Sequence, residues 1–158
     1  MMRAIAGLSF VLIAACAQEA ESVADVCADA PADKLTIVDD WVRAAPVSAT
    51  TALYMTVCNK TTNAVSIVGI ESAAAVTVEL HETTRNDEGA AMMAPVEAYD
   101  VAAGDRTDLK PGGKHIMLIG LTADAMEGAS VPYALTLADG TKVSGSAEAR
   151  PRGSNPGH

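Results

Sequence analysis

The chain has 158 residues, 49% of them hydrophobic, and a formal net charge of −9 at pH 7. Its length fits one domain once a leader and a tail are set aside, and its one Trp, three Tyr and one Phe leave the core to be built mainly from Val, Leu, Ile and Ala. Because phosphate binding needs clustered Lys and Arg, we expect no nucleic-acid partner for so acidic a chain.

Residues 1–15 have the composition of a secretory leader. Arg3 precedes an apolar run of about ten residues, which is too short to span a bilayer, and small residues follow it. Residues 13–16, Ile-Ala-Ala-Cys, are similar to the bacterial lipobox, in which the Cys becomes the lipidated first residue of the mature protein. We therefore predict a lipoprotein signal peptide over residues 1–15, a lipid on Cys16 and a periplasmic, membrane-anchored location. A plain secretory signal cut near Ala15 is the alternative.

The three cysteines fit an exported chain. If Cys16 carries lipid, Cys27 and Cys58 remain as a pair, and an oxidising compartment favours a disulfide between them. The alternative makes one of these two a thiolate metal ligand. Residues 16–33 are rich in Ala, Asp and Glu without an apolar period, which predicts a lipidated Cys followed by an acidic tether.

From Leu35 onward, short apolar and β-branched segments alternate with turn residues, which is the pattern of β-strands. Asp139-Gly140 predicts a two-residue hairpin, and residues 110–113, Lys-Pro-Gly-Gly, suit a type II turn. We predict strands over residues 35–44, 51–58, 65–70, 76–82, 92–101, 106–109, 115–121, 133–138 and 142–147. Such strands favour one all-β domain, an antiparallel β-sandwich over residues 34–149, and the Pro- and Gly-rich residues 150–158 predict a disordered tail.

Two of these strands carry candidate metal ligands. Residues i and i+2 of a strand share a face, so His115 and Met117 project together. The same alternation over residues 76–81 directs the two valines and Leu80 to the core and His81 outward. An outward His81 at a strand end can meet His115 and Met117 from a neighbouring strand. A Met from residues 92–93 can complete the set.

The ligand types indicate the metal. Thioether sulfur is soft and uncharged and imidazole is borderline, so a neutral set of two His and two Met favours Cu(I) over Zn(II), Mg(II) or Ca(II). A site without thiolates also escapes oxidation to a disulfide and should release copper more readily than a cysteine site, which suits transfer rather than storage. Taken singly, each Met is more often core filler and each His an ordinary surface residue, so the prediction rests on their grouping.

Several segments together carry a family resemblance: residues 40–46 (Asp-Trp-Val-Arg-Ala-Ala-Pro), 52–55, 78–82 (Val-Glu-Leu-His-Glu), 93–97 and 109–118. With them, the chain from about Leu35 to Ala149 resembles the PCu(A)C family of periplasmic Cu(I) chaperones, of the DUF461 type. The resemblance implies a cupredoxin-like Greek-key β-sandwich. It also implies delivery of Cu(I) towards the CuA centre of cytochrome c oxidase, often alongside a thioredoxin-like Sco protein.

The family's copper motif is His, ten residues, Met, 21 residues, His-x-Met. Twenty-one residues separate Met93 from His115, as in the motif, but 11 separate His81 from Met93. We expect the extra residue in the polar turn over residues 85–89, where an insertion is tolerated. Met92 would restore the first spacing, but adjacent residues of an extended segment face opposite ways, and Met92 would break the second spacing. The resemblance therefore implies His81, Met93, His115 and Met117 as the ligands.

Other classes of function remain as alternatives. A metal-independent structural or interaction lipoprotein would leave the His and Met residues incidental. A blue-copper electron carrier on the same fold needs two His, a thiolate and a weak axial Met. The expected disulfide would remove the thiolate. An enzyme is not expected, because the sequence has neither a Ser-His-Asp signature nor His-Glu-x-x-His.

Overall fold

The computed structural model describes residues 26–151 and residue 153, and its regular elements are strands. The predicted leader, Cys16 and the tail beyond residue 153 lie outside the described residues. Within the described part, no helix is long and apolar enough to cross a bilayer. The strands are β1 Leu35–Arg43, β2 Thr51–Asn59, β3 Val65–Glu71, β4 Ala75–Arg85, β5 Ala91–Pro95, β6 Tyr99–Val101, β7 Arg106–Leu109, β8 Lys114–Leu121, β9 Ser130–Leu137 and β10 Lys142–Arg150.

The ten strands form one hydrogen-bonded network, in which nine follow the order β5-β4-β8-β2-β1-β10-β9-β3-β6 and β7 pairs with β2 off this path. Strand β2 pairs with β8 through residues 51–53 and with β7 through residues 55–58, so two short strands share one of its edges. The predicted all-β class is confirmed. One pair, β1 with β10, is parallel. The sequence pattern did not predict this pair, because nearly the whole chain separates the two strands and no hairpin turn fixes their directions.

Strand periodicity predicted most of the strands but missed one interruption between two of them. The predicted strand over residues 92–101 is two strands, β5 and β6, separated by residues 96–98. Val76, expected in the core, is 79% exposed, because it lies near the start of β4 over Gly120 rather than over the core. Leu80 of the same strand is buried, as predicted.

The main core is aliphatic, as the composition predicts, and aromatic side chains complete it. Its fully buried members include Leu53, Ile67, Ile116, Leu118 and Leu135 together with Tyr99. A second, smaller cluster of Trp41, Ala52 and Tyr54 packs against Met117. The two clusters lie on opposite faces of the same strands, since neighbours such as Leu53 and Tyr54 of β2 belong to different clusters.

The predicted type II turn over residues 110–113 is present. The predicted hairpin between the last two strands also forms, but its loop has three residues, 138–140, rather than the predicted two, because Leu137 pairs with Thr141. Between β7 and β8, Gly112 has φ 82° and the Gly113 amide donates to the Lys110 carbonyl at 3.1 Å, which is the geometry of a type II turn. Between β9 and β10, Gly140 has φ 85° and its amide donates to the Leu137 carbonyl at 2.9 Å, closing the hairpin. The first turn delivers the chain directly into the strand that carries His115.

A disulfide joins Cys27 to Cys58, whose Cα atoms lie 5.7 Å apart. Both cysteines are buried, and Cys58 lies in β2. The bridge fixes the segment before β1 to the middle of the sheet. Of the predicted tether over residues 16–33, the part from Cys27 onward is therefore tied to the domain, and residues 16–25 lie outside the described residues.

Candidate metal centre

The two predicted histidine ligands lie opposite each other on neighbouring strands. In the antiparallel pair β4–β8, His81 is directly across from His115, and Glu79 is directly across from Met117. Directly opposed residues project from the same face of a sheet. The centroids of the two imidazole rings are 5.9 Å apart. His81, His115 and Met117 therefore share one face, which is the face of the Trp41 and Tyr54 cluster.

Met93 reaches this face from the edge strand. In the β4–β5 pair Met93 lies opposite Thr83, which is two residues from His81 on β4 and shares its face. Met92 lies opposite Thr84 and projects from the other side of the sheet. The two methionines are almost equally exposed, at 55% and 56%, so orientation rather than burial distinguishes them.

His115 is held by the type II turn. Its side chain is buried, and its Nδ1 lies 2.8 Å from the Gly113 carbonyl oxygen. A carbonyl oxygen only accepts, so Nδ1 carries the proton and Nε2 carries the lone pair. Nε2 is buried and has no hydrogen-bond partner. The turn at residues 110–113 thus determines which nitrogen of His115 is available to a ligand.

His81 is held by a side chain of its own strand. Its Nε2 lies 2.8 Å from Glu79 Oε2, and its Nδ1 is buried without a hydrogen-bond partner. Among the residues that the structure describes, His81 Nδ1 and His115 Nε2 are the buried side-chain polar atoms left without a partner. Native proteins satisfy nearly all such atoms, so each exception indicates an absent ligand or another special role.

An open cleft of about 270 Å³ lies over this face. Met93, His115 and Met117 contribute to its wall, whereas His81 is not among the described residues that line it. Opposite them, the Arg43 guanidinium lies 5.6 Å from the centroid of the Tyr54 ring. Burial raises the pKa of Tyr54, and the nearby Arg43 charge opposes that rise. The remaining lining residues are Ala44, Ala45, Thr50, Thr51, Ala52, Thr83, Pro111 and Gly112.

Tyr99 is a residue of this centre that the sequence patterns did not reveal. Its hydroxyl oxygen lies 2.5 Å from the backbone carbonyl oxygen of His81 and 2.8 Å from that of His115, so its single proton is shared between the two acceptors. Burial raises the pKa of Tyr99 to about 12, so the hydroxyl stays protonated and able to donate. From the core side, one hydroxyl ties together the two strands that carry the imidazoles. The sequence carried only a weak signal for Tyr99, because a single Tyr in a β-protein is ordinarily a core residue without a functional role.

The donor set limits which metals can bind. Within residues 26–151, no group of three or more His, Cys, Asp or Glu side chains is placed to hold a metal ion. Cys27 and Cys58 are joined in the disulfide, so neither supplies the thiolate that a blue-copper site needs. The thioethers of Met93 and Met117 lie on the same sheet face as the two imidazoles and are further candidate donors.

Comparison with known proteins gives the family. Residues 35–149 match the sequence profile described as "Putative lipoprotein LpqE-like". The chain belongs to the LpqE-like family. A relative from Leifsonia xyli subsp. xyli (strain CTCB07), "Putative lipoprotein Lxx21020", is 34% identical to this LpqE-like chain over 110 residues. The alignment covers 70% of the chain and 66% of the relative, which is just under two thirds of the relative's length.

Solved structures of similar fold support the fold described above. The "Copper-bound PCuAC domain from PmoF2" has a TM-score of 0.62 at 23% identity, over 77% of the LpqE-like chain and 96% of that domain. The Cu(I) form of DR1885 from Deinococcus radiodurans, solved in solution, has a TM-score of 0.57 at 30% identity, over 76% of the chain and 78% of that protein. The cupredoxin-like β-sandwich and the predicted PCu(A)C resemblance are confirmed.

Proposed function

We propose that this chain is an extracytoplasmic Cu(I) metallochaperone whose cargo is held by His81, Met93, His115 and Met117. The observation that carries the proposal is the pair of unpartnered buried nitrogens, one on each imidazole, on a sheet face that also bears both thioethers. Leaving a polar atom buried without a partner costs free energy, and one bound cation would satisfy both nitrogens.

The choice of Cu(I) follows from the ligands. Two imidazoles and two thioethers bring no charge to the ion and are the softer donors that Cu(I) prefers, whereas Zn(II), Mg(II) and Ca(II) favour thiolates, carboxylates or water. The copper-bound PmoF2 domain and the Cu(I) form of DR1885 share this fold, and their copper content supports the same cargo here.

The uneven exposure of the ligands suits transfer. His115 is 3% exposed, whereas Met93 lies on the edge strand and is 55% exposed. A partner's ligand can therefore approach the copper from the Met93 side and displace that thioether first. The less exposed imidazoles would hold the ion until the exchange is complete.

Anchoring and destination complete the proposal. Cys16 carries the lipid, and residues 17–26 between it and the disulfide reach roughly 35 Å when extended, which lets the domain work close to a membrane in the periplasm. The family description and the Leifsonia relative, both named as lipoproteins, support the anchor. The family resemblance supports the CuA centre of cytochrome c oxidase as the recipient, with a Sco-type protein as a partner in the same assembly.

Competition with a Cu(I) chelator under reducing conditions tests the cargo. The chain should retain one Cu(I) per molecule and bind it more tightly than Zn(II), and the double variant His81→Ala with His115→Ala should retain none. A wild-type chain that loses all Cu(I) to the chelator would instead be a metal-independent interaction lipoprotein. In cells, Cys16→Ser should release the protein from membranes, and loss of the gene should lower the CuA content at limiting copper.

A further inference from the structure

Glu79 occupies a distinctive position beside the candidate metal centre. It lies directly opposite Met117 across the β4–β8 pair, and its carboxylate hydrogen bonds His81 Nε2 at 2.8 Å. Its side chain is 43% exposed and that of His81 is 13% exposed. Glu79 thus lies on the solvent side of the His81 ring and contacts its Nε2, not the unpartnered Nδ1.

This contact determines the tautomer of His81. An ionised carboxylate only accepts hydrogen bonds, so Nε2 carries the proton of the neutral ring, and the lone pair is left on Nδ1. Nδ1 is the buried atom without a partner.

The two histidines therefore present different atoms. His115 donates from Nδ1 to the Gly113 carbonyl and leaves Nε2 unpartnered, whereas His81 donates from Nε2 to Glu79 and leaves Nδ1 unpartnered. In metal sites, an imidazole that binds through one nitrogen commonly donates its other N–H to a carboxylate or a carbonyl, and these partners orient the ring. Here His81 donates to a carboxylate and His115 donates to a backbone carbonyl.

We propose that Glu79 is a positioning residue of the copper site, which fixes His81 as an Nδ1 ligand while His115 binds through Nε2. The inference rests on the proposed function. Glu79 also places one negative charge beside a cation held by four neutral ligands, and this charge offsets that of Cu(I). Its effect is thus twofold: a hydrogen bond that sets the ring, and a charge that stabilises the loaded state.

Two substitutions separate these effects. Glu79→Gln keeps an oxygen that can accept from Nε2 but removes the charge, whereas Glu79→Ala removes both. Glu82→Gln is the matched control, because Glu82 is on the same strand but on the opposite face and its loss changes the net charge equally. Loss of a partner of this kind typically costs 10- to 100-fold in metal affinity. We expect at least a tenfold loss for Glu79→Ala, a smaller loss for Glu79→Gln and less than a twofold change for Glu82→Gln.

The direct test is long-range ¹H–¹⁵N correlation NMR on the full-length chain in detergent, before and after loading with Cu(I), which is diamagnetic. In the copper-free wild type, His81 should be the Nε2–H tautomer and His115 the Nδ1–H tautomer. Copper should shift Nδ1 of His81 and Nε2 of His115. Glu79→Gln should keep this tautomer of His81, and Glu79→Ala should lose it. Because the wild-type spectra are sufficient, the test does not depend on the variants' folding.

The outcomes distinguish this inference from the proposed function. A wild-type chain that binds Cu(I) through Nε2 of His81, or a folded Glu79→Ala variant with unchanged Cu(I) affinity, overturns the role of Glu79 and leaves the chaperone proposal standing. A wild-type chain that binds no Cu(I) overturns the proposed function and this inference with it.

Discussion

Met93 lies directly opposite Thr83 in the β4–β5 pair, so its thioether projects from the sheet face that carries His81 and His115. The loop that connects these two strands spans residues 86–90, between Arg85 and Ala91. A residue added within this turn lengthens the spacing from His81 to Met93 without changing the spacing from Met93 to His115. The geometry thus gives a physical reason for preferring Met93 to Met92.

Exchanging each methionine for leucine tests this preference. Leu is close to Met in volume and lacks the sulfur, so neither exchange should unfold the chain. We predict that Met93→Leu weakens Cu(I) binding at least about tenfold, or about 1.4 kcal/mol, in a chelator competition. Met92→Leu, at a position of nearly equal exposure on the other face, should change it much less. The reverse order of effects would mean that the register of β5 is wrong.

A second comparison concerns the hydroxyl of Tyr99. Tyr99→Phe should release the link between the His81 and His115 carbonyls and speed the transfer of Cu(I) to a chelator at least about threefold, because the two imidazole strands lose a common hydrogen bond. Tyr133→Phe is the control, since Tyr133 is equally aromatic and buried but donates to Asp40 at 2.6 Å.

Both Tyr variants should lose about 1–2 kcal/mol of unfolding free energy, as expected for a buried hydroxyl removed from its partner. Only Tyr99→Phe should alter copper release in stopped-flow measurements. Equal release rates in the two variants would reduce Tyr99 to a purely structural residue.

Much of the fold was predictable from the sequence because it depends on local chemistry. The Lys-Pro-Gly-Gly turn and the Asp139-Gly140 hairpin require φ values that Gly supplies, and the strands follow from alternation. The parallel β1–β10 pair was not predictable, since no local signal joins segments at opposite ends of the domain.

The candidate site divides in the same way. The shared face of His115 and Met117 follows from i and i+2 spacing within one strand. The opposition of His81 to His115 depends on the register between two strands, and the contacts of Tyr99 depend on packing across the core. The sequence therefore suggested the ligands but not the residues that hold them in place.

The disulfide should contribute a large share of the stability. In the chain-entropy model, a bridge between residues 31 positions apart is worth about 3–4 kcal/mol. We predict that the Cys27→Ala, Cys58→Ala double variant loses about this much unfolding free energy in urea titrations yet still binds Cu(I) when folded. Loss of Cu(I) binding in a folded double variant would point to a thiolate ligand.

Alkaline pH should weaken the fold through Tyr133. Burial, followed by the hydrogen bond to Asp40, raises the pKa of Tyr133 well above its usual range. Its contribution to stability is therefore complete below pH 10 and is lost as the pH rises above the unfolded-state value of about 10. We predict that the unfolding free energy falls above pH 10 by up to about 1.4 kcal/mol per pH unit for this group. Tyr133→Phe should lower that slope in urea titrations between pH 9 and pH 11, and an unchanged slope would contradict the assignment.

We propose that one Cu(I) is held by the imidazoles of His81 and His115 and the thioethers of Met93 and Met117. X-ray absorption spectroscopy of the Cu(I)-loaded chain counts the neighbouring atoms directly. We expect two sulfur and two nitrogen neighbours in the wild type, and one sulfur fewer in each of Met93→Leu and Met117→Leu. A first shell of nitrogen and oxygen alone would contradict it.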